Sequence, residues 1–179
     1  MATDSGDYDE IIRPIEGQMM RSIWRIVRSP DDAEDALQEA LSVVWKRLHR
    51  IRRHENPRAL VLRICIDAAY DVLRKRMRLK RHGQTVPIDD GIAGPVADAH
   101  QAMVREEKRA EIERAIARLS RSQATAILMR CLEGHDYRSI GPALGCSEAT
   151  ARTHVVRARK RWCALLWHLR PSSSSEVTQ

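Results

Sequence analysis

The sequence predicts an all-α protein of two small helical domains joined by a flexible linker. Apolar residues recur three or four positions apart, no stretch alternates strictly between apolar and polar residues, and helix-capping residues stand between the apolar stretches. Hydrophobic residues make up 43% of the chain, which is enough for packed cores, although Phe is absent. The domains are predicted at 8–82 and 103–170, with the linker at 83–102 and a disordered tail at 171–179.

Three helices are predicted in the first domain. The first has the apolar stripe Ile12, Ile15, Met19, Ile23, Ile26 and Val27. Pro30 opens the second helix, with Ser29 as its N-cap and acidic residues in its first turn. Its apolar positions are Ala33, Ala36, Leu37, Ala40, Leu41, Val44, Trp45 and Leu48. Asn56 and Pro57 form the N-cap and first position of the third helix.

The second domain is predicted to begin where helical spacing resumes, near Met103, after a stretch rich in Gly, Pro and Asp. Three further helices follow, and their N-caps are Ser120, Asp136 and Ser147. Gly134 ends the first of these helices and Gly145 occupies the turn after the second, while the last runs from Glu148 to about Leu169.

The net charge of +7 is distributed unevenly along the chain. Residues 1–45 carry 4 basic and 10 acidic side chains, residues 46–82 carry 13 and 3, and residues 121–170 carry 9 and 3. Two basic blocks on separate domains indicate two polyanion-binding surfaces. Charge alone leaves the alternative open that these are simply solvated helix faces.

The sequence predicts a soluble, cytoplasmic protein without a membrane segment. No apolar run approaches the roughly 18 residues that a membrane span needs, and the acidic N-terminus is unlike a signal peptide. The four cysteines are widely spaced, which favours reduced core thiols over a disulfide framework. Cys131, His135, Cys146 and His154 match no zinc-finger spacing. We therefore expect neither a metal nor a cofactor.

Residues 136–161 have the pattern of a helix-turn-helix: a short helix, a turn containing Gly, and a capped second helix. One face of the second helix is apolar, and the other carries Arg152, Thr153, Val156, Arg157 and Lys160. Arg can bond guanine edges and Thr or Val can meet a thymine methyl, while basic residues further along the helix suit phosphates. The pattern therefore favours DNA binding over an ordinary helical hairpin with a charged face.

Three blocks resemble the extracytoplasmic-function (ECF) sigma factors, sigma-70 family subunits of bacterial RNA polymerase. DAEDALQEALSVVWKRL at 32–48 resembles sigma region 2.2, and PRALVLRICIDAAYDVLRKR at 57–76 resembles regions 2.3 and 2.4. LSRSQATAILMRCLEGHDYRSIGPALGCSEATARTHVVRARKRW at 119–162 resembles region 4. The resemblance implies a transcription initiation factor rather than an enzyme, with a region 2-like and a region 4-like domain.

The resemblance also implies partners. The N-terminal domain would bind the β′ clamp helices of core RNA polymerase through Asp35, Gln38 and Glu39. It would contact the downstream promoter element through Arg63, Asp67, Tyr70, Asp71 and Arg74. The C-terminal domain would recognise the upstream element through the helix-turn-helix face described above and would bind the β flap. An anti-sigma factor is implied by analogy, although no residue identifies one.

The chain departs from the family pattern at three positions. Leu60 stands where Trp is usual and Asp67 where Asn is usual, and a carboxylate beside DNA phosphates is unfavourable unless Arg63 or Arg74 neutralises it. Pro142 lies inside the first helix of the helix-turn-helix, which predicts a late-starting or kinked helix.

Aromatic side chains are scarce where promoter strands would separate. Tyr70 is the sole aromatic residue in 57–76, and stacking on aromatic rings helps to hold unpaired bases. We therefore expect weak intrinsic strand opening.

Two other functions are compatible with parts of the sequence. A stand-alone helix-turn-helix regulator would use only the C-terminal domain, with the front domain for dimerisation. A helical nuclease would use paired carboxylates, but these lie at helix starts without a His or metal-ligand constellation. The docking face at 34–42 and the two-domain layout favour the sigma factor.

Overall fold

The structure is a computed structural model that describes residues 2–81 and 99–167. Within these ranges every regular element is helical, which confirms the all-α prediction. The helices are α1 (Ala2–Ile11), α2 (Glu16–Val27), α3 (Pro30–Lys46), α4 (Leu48–Arg52), α5 (Pro57–Arg81), α6 (Ala99–Ala117), α7 (Arg121–Leu132), α8 (Tyr137–Leu144) and α9 (Glu148–Leu165). None of the described helices is long and apolar enough to cross a membrane.

The single helix predicted before Ser29 is in fact two helices with a 3-10 turn between them. The turn spans Arg13–Ile15 and contains Pro14, whose ring removes a backbone N–H donor and restricts its φ angle. The Tyr8 hydroxyl of α1 donates to Glu16 Oε1 across the turn, at 2.8 Å. The apolar spacing that begins at Ile12 thus continues into α2, although the helical backbone is interrupted at the turn that contains Pro14.

The predicted N-caps of α3 and α5 are confirmed. Ser29 Oγ accepts the Asp32 N–H at 3.4 Å, and Asn56 Oδ1 accepts the Ala59 N–H at 3.0 Å. Ser120 occupies the N-cap position of α7, but its side chain makes no capping hydrogen bond. The sequence therefore predicted the start of α7 correctly, although the capping hydrogen bond on which that prediction rested is not formed.

Helix α5 lies at the centre of the molecule. Its apolar side chains pack on α2 and α3, which completes an N-terminal module of α1–α5. Another side of α5 packs on α6, α7 and α8, which with α9 form the C-terminal module. Buried Ile116, Leu119 and Ala124 belong to the same apolar cluster as Leu62 and Leu73 of α5. The two modules are thus packed against each other along α5.

Helices α8 and α9 form the predicted helix-turn-helix. Asp136 Oδ1 accepts the Ser139 N–H at 2.8 Å, and Ser147 Oγ accepts the Thr150 N–H at 3.2 Å. Gly145 has a φ of +69°, the left-handed conformation that a glycine adopts without strain. The short helix, the turn and both caps are as predicted.

Several boundary predictions fall outside the described residues. The predicted tail at 171–179 lies outside them, as do residues 83–98 of the predicted linker. Within the described part, α6 begins at Ala99, before the expected start near Met103. Helix α9 ends at Leu165 rather than near Leu169.

The prediction of core thiols holds for one cysteine. All four are free, and Cys65 of α5 is buried, whereas Cys131 and Cys163 are exposed. Burial raises the pKa of the Cys65 thiol to about 12. The presence of a cysteine therefore did not by itself mark a position as part of the core.

Candidate nucleic-acid interface

Helix α9 presents the predicted recognition face to solvent. Its exposed residues include Arg152, Thr153, Val156, Arg157 and Lys160, whereas Ala151, Val155 and Ala158 are buried against α7 and α8. Val156 is 46% exposed, which is notable for a large apolar side chain on a helix. An exposed apolar group flanked by cations is suited to the floor of a DNA major groove.

The N-terminal turns of α9 are held by local contacts. Arg152 Nη2 donates to Glu148 Oε1 at 3.1 Å, and its guanidinium carbon lies 4.9 Å from the centroid of the Tyr137 ring. Arg130 of α7 contacts the same ring at 5.3 Å. Tyr137 therefore orders two arginines beside the end of α9 that enters DNA in a helix-turn-helix.

Helix α8 approaches the turn before α9 very closely at Gly141. A Cβ atom there would lie 2.9 Å from the Cys146 carbonyl oxygen and 3.1 Å from the Glu148 nitrogen. Both are backbone atoms, so they cannot swing aside as a flexible side chain would. The angle between the two helices of the motif thus depends on glycine at this position.

Pro142 does not delay the start of α8. The helix begins at Tyr137, directly after the Asp136 cap, so the expected late start is wrong. Pro142 lies inside α8, where it provides no N–H for the Arg138 carbonyl. The capping bond and the packing of α8 on α9 hold this turn in helical form despite the proline.

A basic cleft of about 270 Å³ lies between α4, α5 and α8. Its cationic lining comes from Arg47, Arg50 and Arg63, its polar lining includes His54, and its apolar lining includes Leu60 and Ile64. Among the described residues that line it there is no carboxylate. This arrangement suits the phosphates of a nucleic-acid strand with an apolar surface for a base.

The residues expected at the downstream element lie along α5, partly beneath the C-terminal module. Asp71 and Arg74 are exposed and Arg63 is half-buried. Asp67 is only 8% exposed and Tyr70 is fully buried. In this arrangement DNA cannot reach Asp67 or stack on the Tyr70 ring.

The Asp67 carboxylate contacts both modules. Oδ1 accepts a 2.6 Å hydrogen bond from Thr125 Oγ1 of α7, and Oδ2 lies 2.9 Å from Arg63 Nη2. Arg121 of α7 lies 3.9 Å away. Burial raises the pKa of Asp67, and the cations and the Thr125 hydroxyl offset only part of that effect. The expected neutralisation by Arg63 is thus present, with a second partner that the sequence did not suggest.

Tyr70 and Asp71 also contact the C-terminal module. The Tyr70 hydroxyl donates to the Leu119 carbonyl oxygen at 2.6 Å. Arg121 Nη2 donates to both carboxylate oxygens of Asp71, each at 2.6 Å. Arg74 remains on the N-terminal module, with its guanidinium 5.7 Å from the Tyr70 ring centroid.

The expected polymerase-binding residues form the α3 acidic face, which comprises Glu34, Asp35, Gln38 and Glu39. All four are exposed, and Gln38 donates to Glu34 at 3.2 Å. Trp45, predicted to be a core residue, is 56% exposed at the end of α3, with its ring 6.2 Å from that of Tyr8. The core prediction is wrong for Trp45, and α3 presents a large apolar side chain as well as acidic ones.

No metal site is formed by the described residues. Nowhere in 2–81 or 99–167 do three or more His, Cys, Asp or Glu side chains gather closely enough to hold an ion.

Comparison with known protein families identifies both modules. A model of sigma-70 region 2 matches residues 11–79, and a model of sigma-70 region 4 matches residues 109–161. The ECF RNA polymerase sigma factor SigM of Mycobacterium tuberculosis is 31% identical over 169 residues, covering 94% of this chain and 82% of SigM. This chain belongs to the ECF sigma factors. The RNA polymerase sigma-H factor of Pseudomonas aeruginosa is 25% identical over 163 residues, covering 88% and 84%.

A solved structure has a similar fold. It is the sigma factor RpoE of Bartonella quintana in complex with the anti-sigma factor NepR, with a TM-score of 0.55. Sequence identity is 21%, and the match covers 90% of this sigma factor and 97% of that chain. Matches to both region 2 and region 4 do not favour a stand-alone helix-turn-helix regulator.

Four residues of this sigma factor were missed as site residues by the sequence reasoning. Thr125 and Arg121 of α7 contact α5, Glu113 of α6 bonds Arg76 of α5, and Glu133 inserts beside α2. Glu113 lies among the apolar residues Ile112, Ala115 and Ile116 of α6, which is a signal that could have marked it, whereas Glu133 follows the last residue of α7 and has no such signal.

Proposed function

We propose that this ECF sigma factor binds core RNA polymerase and directs it to promoters, recognising an upstream element with α9 and a downstream element with α5. The observation that carries the proposal is α9: a doubly capped helix-turn-helix whose exposed face combines Arg152, Thr153, Val156 and Arg157. The family's role in transcription initiation supplies the context. The proposed site of action is the cytoplasm, where RNA polymerase works.

Upstream recognition is assigned to the two halves of α9. Arg152, Thr153 and Val156 lie toward its N-terminus, where a recognition helix meets base edges. Arg157 and Lys160 follow within two turns and suit the phosphate backbone. The Glu148 contact of Arg152 is between two largely exposed groups, so it can exchange for guanine at small cost.

Downstream recognition is assigned to α5 and the basic cleft. Arg63, Asp67, Tyr70, Asp71 and Arg74 are the family-matched positions on α5. The part of the cleft lining that belongs to the N-terminal module adds Arg47 and Arg50, whose charge suits a separated DNA strand. Because Asp67 and Tyr70 are covered by α7, this role requires the C-terminal module to move away from α5.

Polymerase binding is assigned to the α3 acidic face, with the β′ clamp helices as partner. Carboxylates on this face repel DNA and suit a basic protein surface. Trp45 adds an exposed aromatic anchor, a residue type enriched where protein interfaces are strongest. The C-terminal module would contact the β flap. An anti-sigma factor is a further proposed partner, by analogy with the structure of RpoE bound to NepR.

Run-off transcription with purified core polymerase on genomic fragments tests the proposal. We expect defined transcripts that require both the chain and the core enzyme. A variant with Arg152→Ala and Arg157→Ala should lose them, while Arg105→Ala, which also removes an exposed arginine, should keep them. Sequence-specific DNA binding without core polymerase and without any transcript would instead support the stand-alone regulator.

A further inference from the structure

We propose that the basic cleft between α4, α5 and α8 binds a nucleoside phosphate whose base carries an amino group. The phosphate would lie against Arg47 and Arg50, and the base against Leu60 and Ile64. The site is independent of the proposed function, because the chain forms it without DNA or polymerase. Four kinds of lining group identify this ligand: guanidiniums, an imidazole, an apolar surface and the last carbonyls of a helix.

The cationic side of the cleft lacks a counter-charge. Arg47 directly precedes α4, and the Arg50 N–H donates to the Arg47 carbonyl oxygen at 2.9 Å, so both exposed side chains leave the same turn. Neither guanidinium has a hydrogen-bond or ion-pair partner within residues 2–81 and 99–167. Arg63, the third lining cation, is instead paired with Asp67 at 2.9 Å. Two neighbouring unpaired guanidiniums favour an anion with several oxygens, such as a phosphate.

His54 adds a polar group to the same side of the cleft. Its Nδ1 lies 3.0 Å from the backbone nitrogen of Asn56, the residue that caps α5. This contact holds the imidazole in place and leaves Nε2 as the ring nitrogen without a partner in the described part of the chain. A sugar hydroxyl both donates and accepts, so it can bond Nε2 in either tautomer of the ring.

The apolar side of the cleft suits a planar base. Leu60 and Ile64 lie one turn apart on α5, and both line the cleft. Leu60 stands where the family usually has Trp, and its smaller side chain leaves more of the cleft open. Covering one face of a base with these groups adds affinity that a free phosphate cannot obtain. The volume of about 270 Å³ is close to the lower end of ligand pockets, at about 300 Å³, and therefore suits one nucleotide.

The end of α8 supplies hydrogen-bond acceptors. The last four carbonyls of a helix have no partner within that helix. In α8 the first two of these accept N–H groups from the following turn, each at 2.9 Å. The carbonyls of Ala143 and Leu144 have no such backbone partner among the described residues, and both residues line the cleft. The exocyclic amino group of a base can donate to a carbonyl, whereas a phosphate cannot.

Isothermal titration calorimetry on the full chain, without polymerase, tests the site. The probes are AMP and CMP, whose bases carry an amino group, UMP, which has a carbonyl where CMP has its amino group, and inorganic phosphate. We expect AMP or CMP to bind about tenfold more tightly than UMP and inorganic phosphate. Equal affinity for all four would show an anion site without recognition of a base and would overturn the proposal, as would the absence of binding.

One arginine variant locates the phosphate. Arg50→Ala should weaken the binding of AMP and CMP about tenfold, because it removes a charge-assisted hydrogen bond. Arg58→Ala is the matched control, since it removes an exposed arginine of α5 that does not line the cleft. Both side chains are exposed, so neither change disturbs the packed core. Equal weakening in the two variants would indicate an effect of net charge and would contradict the site.

A second pair of variants tests the α8 side of the cleft. Pro142→Glu places a carboxylate in the lining, so it should weaken the binding of AMP and CMP about tenfold. Pro142→Gln adds a side chain of the same shape without the charge and should bind both nucleotides several times more tightly than Pro142→Glu. Circular dichroism shows whether each variant keeps its helices. Equal binding by the two variants would mean that α8 is not part of the site.

The consequence for promoters rests on the proposed function. Arg47 and Arg50 are also assigned to a separated strand, so the nucleotide and the strand should exclude each other. With core polymerase, saturating AMP or CMP should reduce promoter complexes about threefold for Pro142→Gln but not for Pro142→Glu; an equal reduction would oppose competition at the cleft. Nucleotide binding without any promoter complex would refute the proposed function and leave the site intact. Promoter complexes without nucleotide binding would refute the site and leave the function intact.

Discussion

The Asp67 carboxylate of α5 and the Thr125 hydroxyl of α7 form a buried 2.6 Å hydrogen bond between two modules that match separate family models. Asp67 is the position where the family usually has Asn. The bond converts an unfavourable residue for DNA contact into a specific contact between the modules. The region 2 helix is thus a surface on which the C-terminal module packs.

The stability of the folded chain should depend on pH through Asp67. Its pKa is raised in the folded state by burial, against the opposing effects of Arg63, Thr125 and Arg121, and Asp71 adds to the rise. Its contribution to stability is therefore complete below its ordinary pKa of 3.8 and is lost as pH rises through the raised value. Acidification from neutral pH should stabilise the unchanged chain relative to Asp67→Asn. Urea unfolding of both proteins at about pH 7 and about pH 5 measures this difference, and a difference that stays constant would contradict it.

Gly141→Ala should destabilise the C-terminal module by about 1–3 kcal/mol, although Ala is the better helix former. The added Cβ meets the Cys146 carbonyl oxygen at 2.9 Å and the Glu148 nitrogen at 3.1 Å. Gly6→Ala is the matched control, because no atom lies within 4 Å of a Cβ built there. Thermal melting compares the two, and a higher Tm for Gly141→Ala would show that α8 and α9 separate without cost.

Pro142→Glu should raise the melting temperature, because it restores the N–H that can bond the Arg138 carbonyl within α8. A proline in a regular helix interior costs about 3 kcal/mol of stability. Replacing Pro142 in the short helix α8 should regain part of that free energy. Pro142→Ala separates the hydrogen bond from the added charge, which would lie beside the basic cleft. If neither variant melts higher than the unchanged chain, the helix is not strained by this proline.

Arg152→Ala and Lys160→Ala should weaken upstream-element binding in different ways. Loss of an arginine at base edges costs about 1–3 kcal/mol and relaxes preference at one base pair. Loss of Lys160, the proposed phosphate contact, should weaken binding evenly across sequences and reduce the salt slope by about 1. Titration of the polymerase complex on promoter variants at several salt concentrations distinguishes them. Identical sequence preferences in the two variants would oppose this division of roles.

Asp35→Lys combined with Glu39→Lys should weaken core polymerase binding by roughly tenfold, because it reverses the charge of the α3 acidic face. Glu106→Lys combined with Glu107→Lys on α6 provides the same change of net charge at two exposed positions away from that face. Affinity for core enzyme is measured by fluorescence anisotropy of the labelled chain. Equal loss in the control would indicate a general effect of net charge rather than a docking surface.

The sequence by itself determined the starts of the capped helices and the exposed recognition face, but not the separate helices α1 and α4. Ser29, Asn56, Asp136 and Ser147 cap helices through contacts only three residues away, and apolar spacing marks one face of a helix from local geometry alone. The same local rules missed the break at Pro14, because the apolar stripe continues across it. They also placed Trp45 in the core, since periodicity shows which face is apolar but not whether a neighbour covers its end.

Only the tertiary structure decided which distant residues contact the side chains of α5. Asp67 and Thr125 are 58 positions apart, Tyr70 and Leu119 are 49 apart, and Ser22 and Glu133 are 111 apart. No local pattern can indicate such pairs, because each depends on how two modules pack rather than on the preference of either segment. The residue types of α5 identify a polar surface, but the choice between DNA and helix α7 as its partner depends on which of them lies against it.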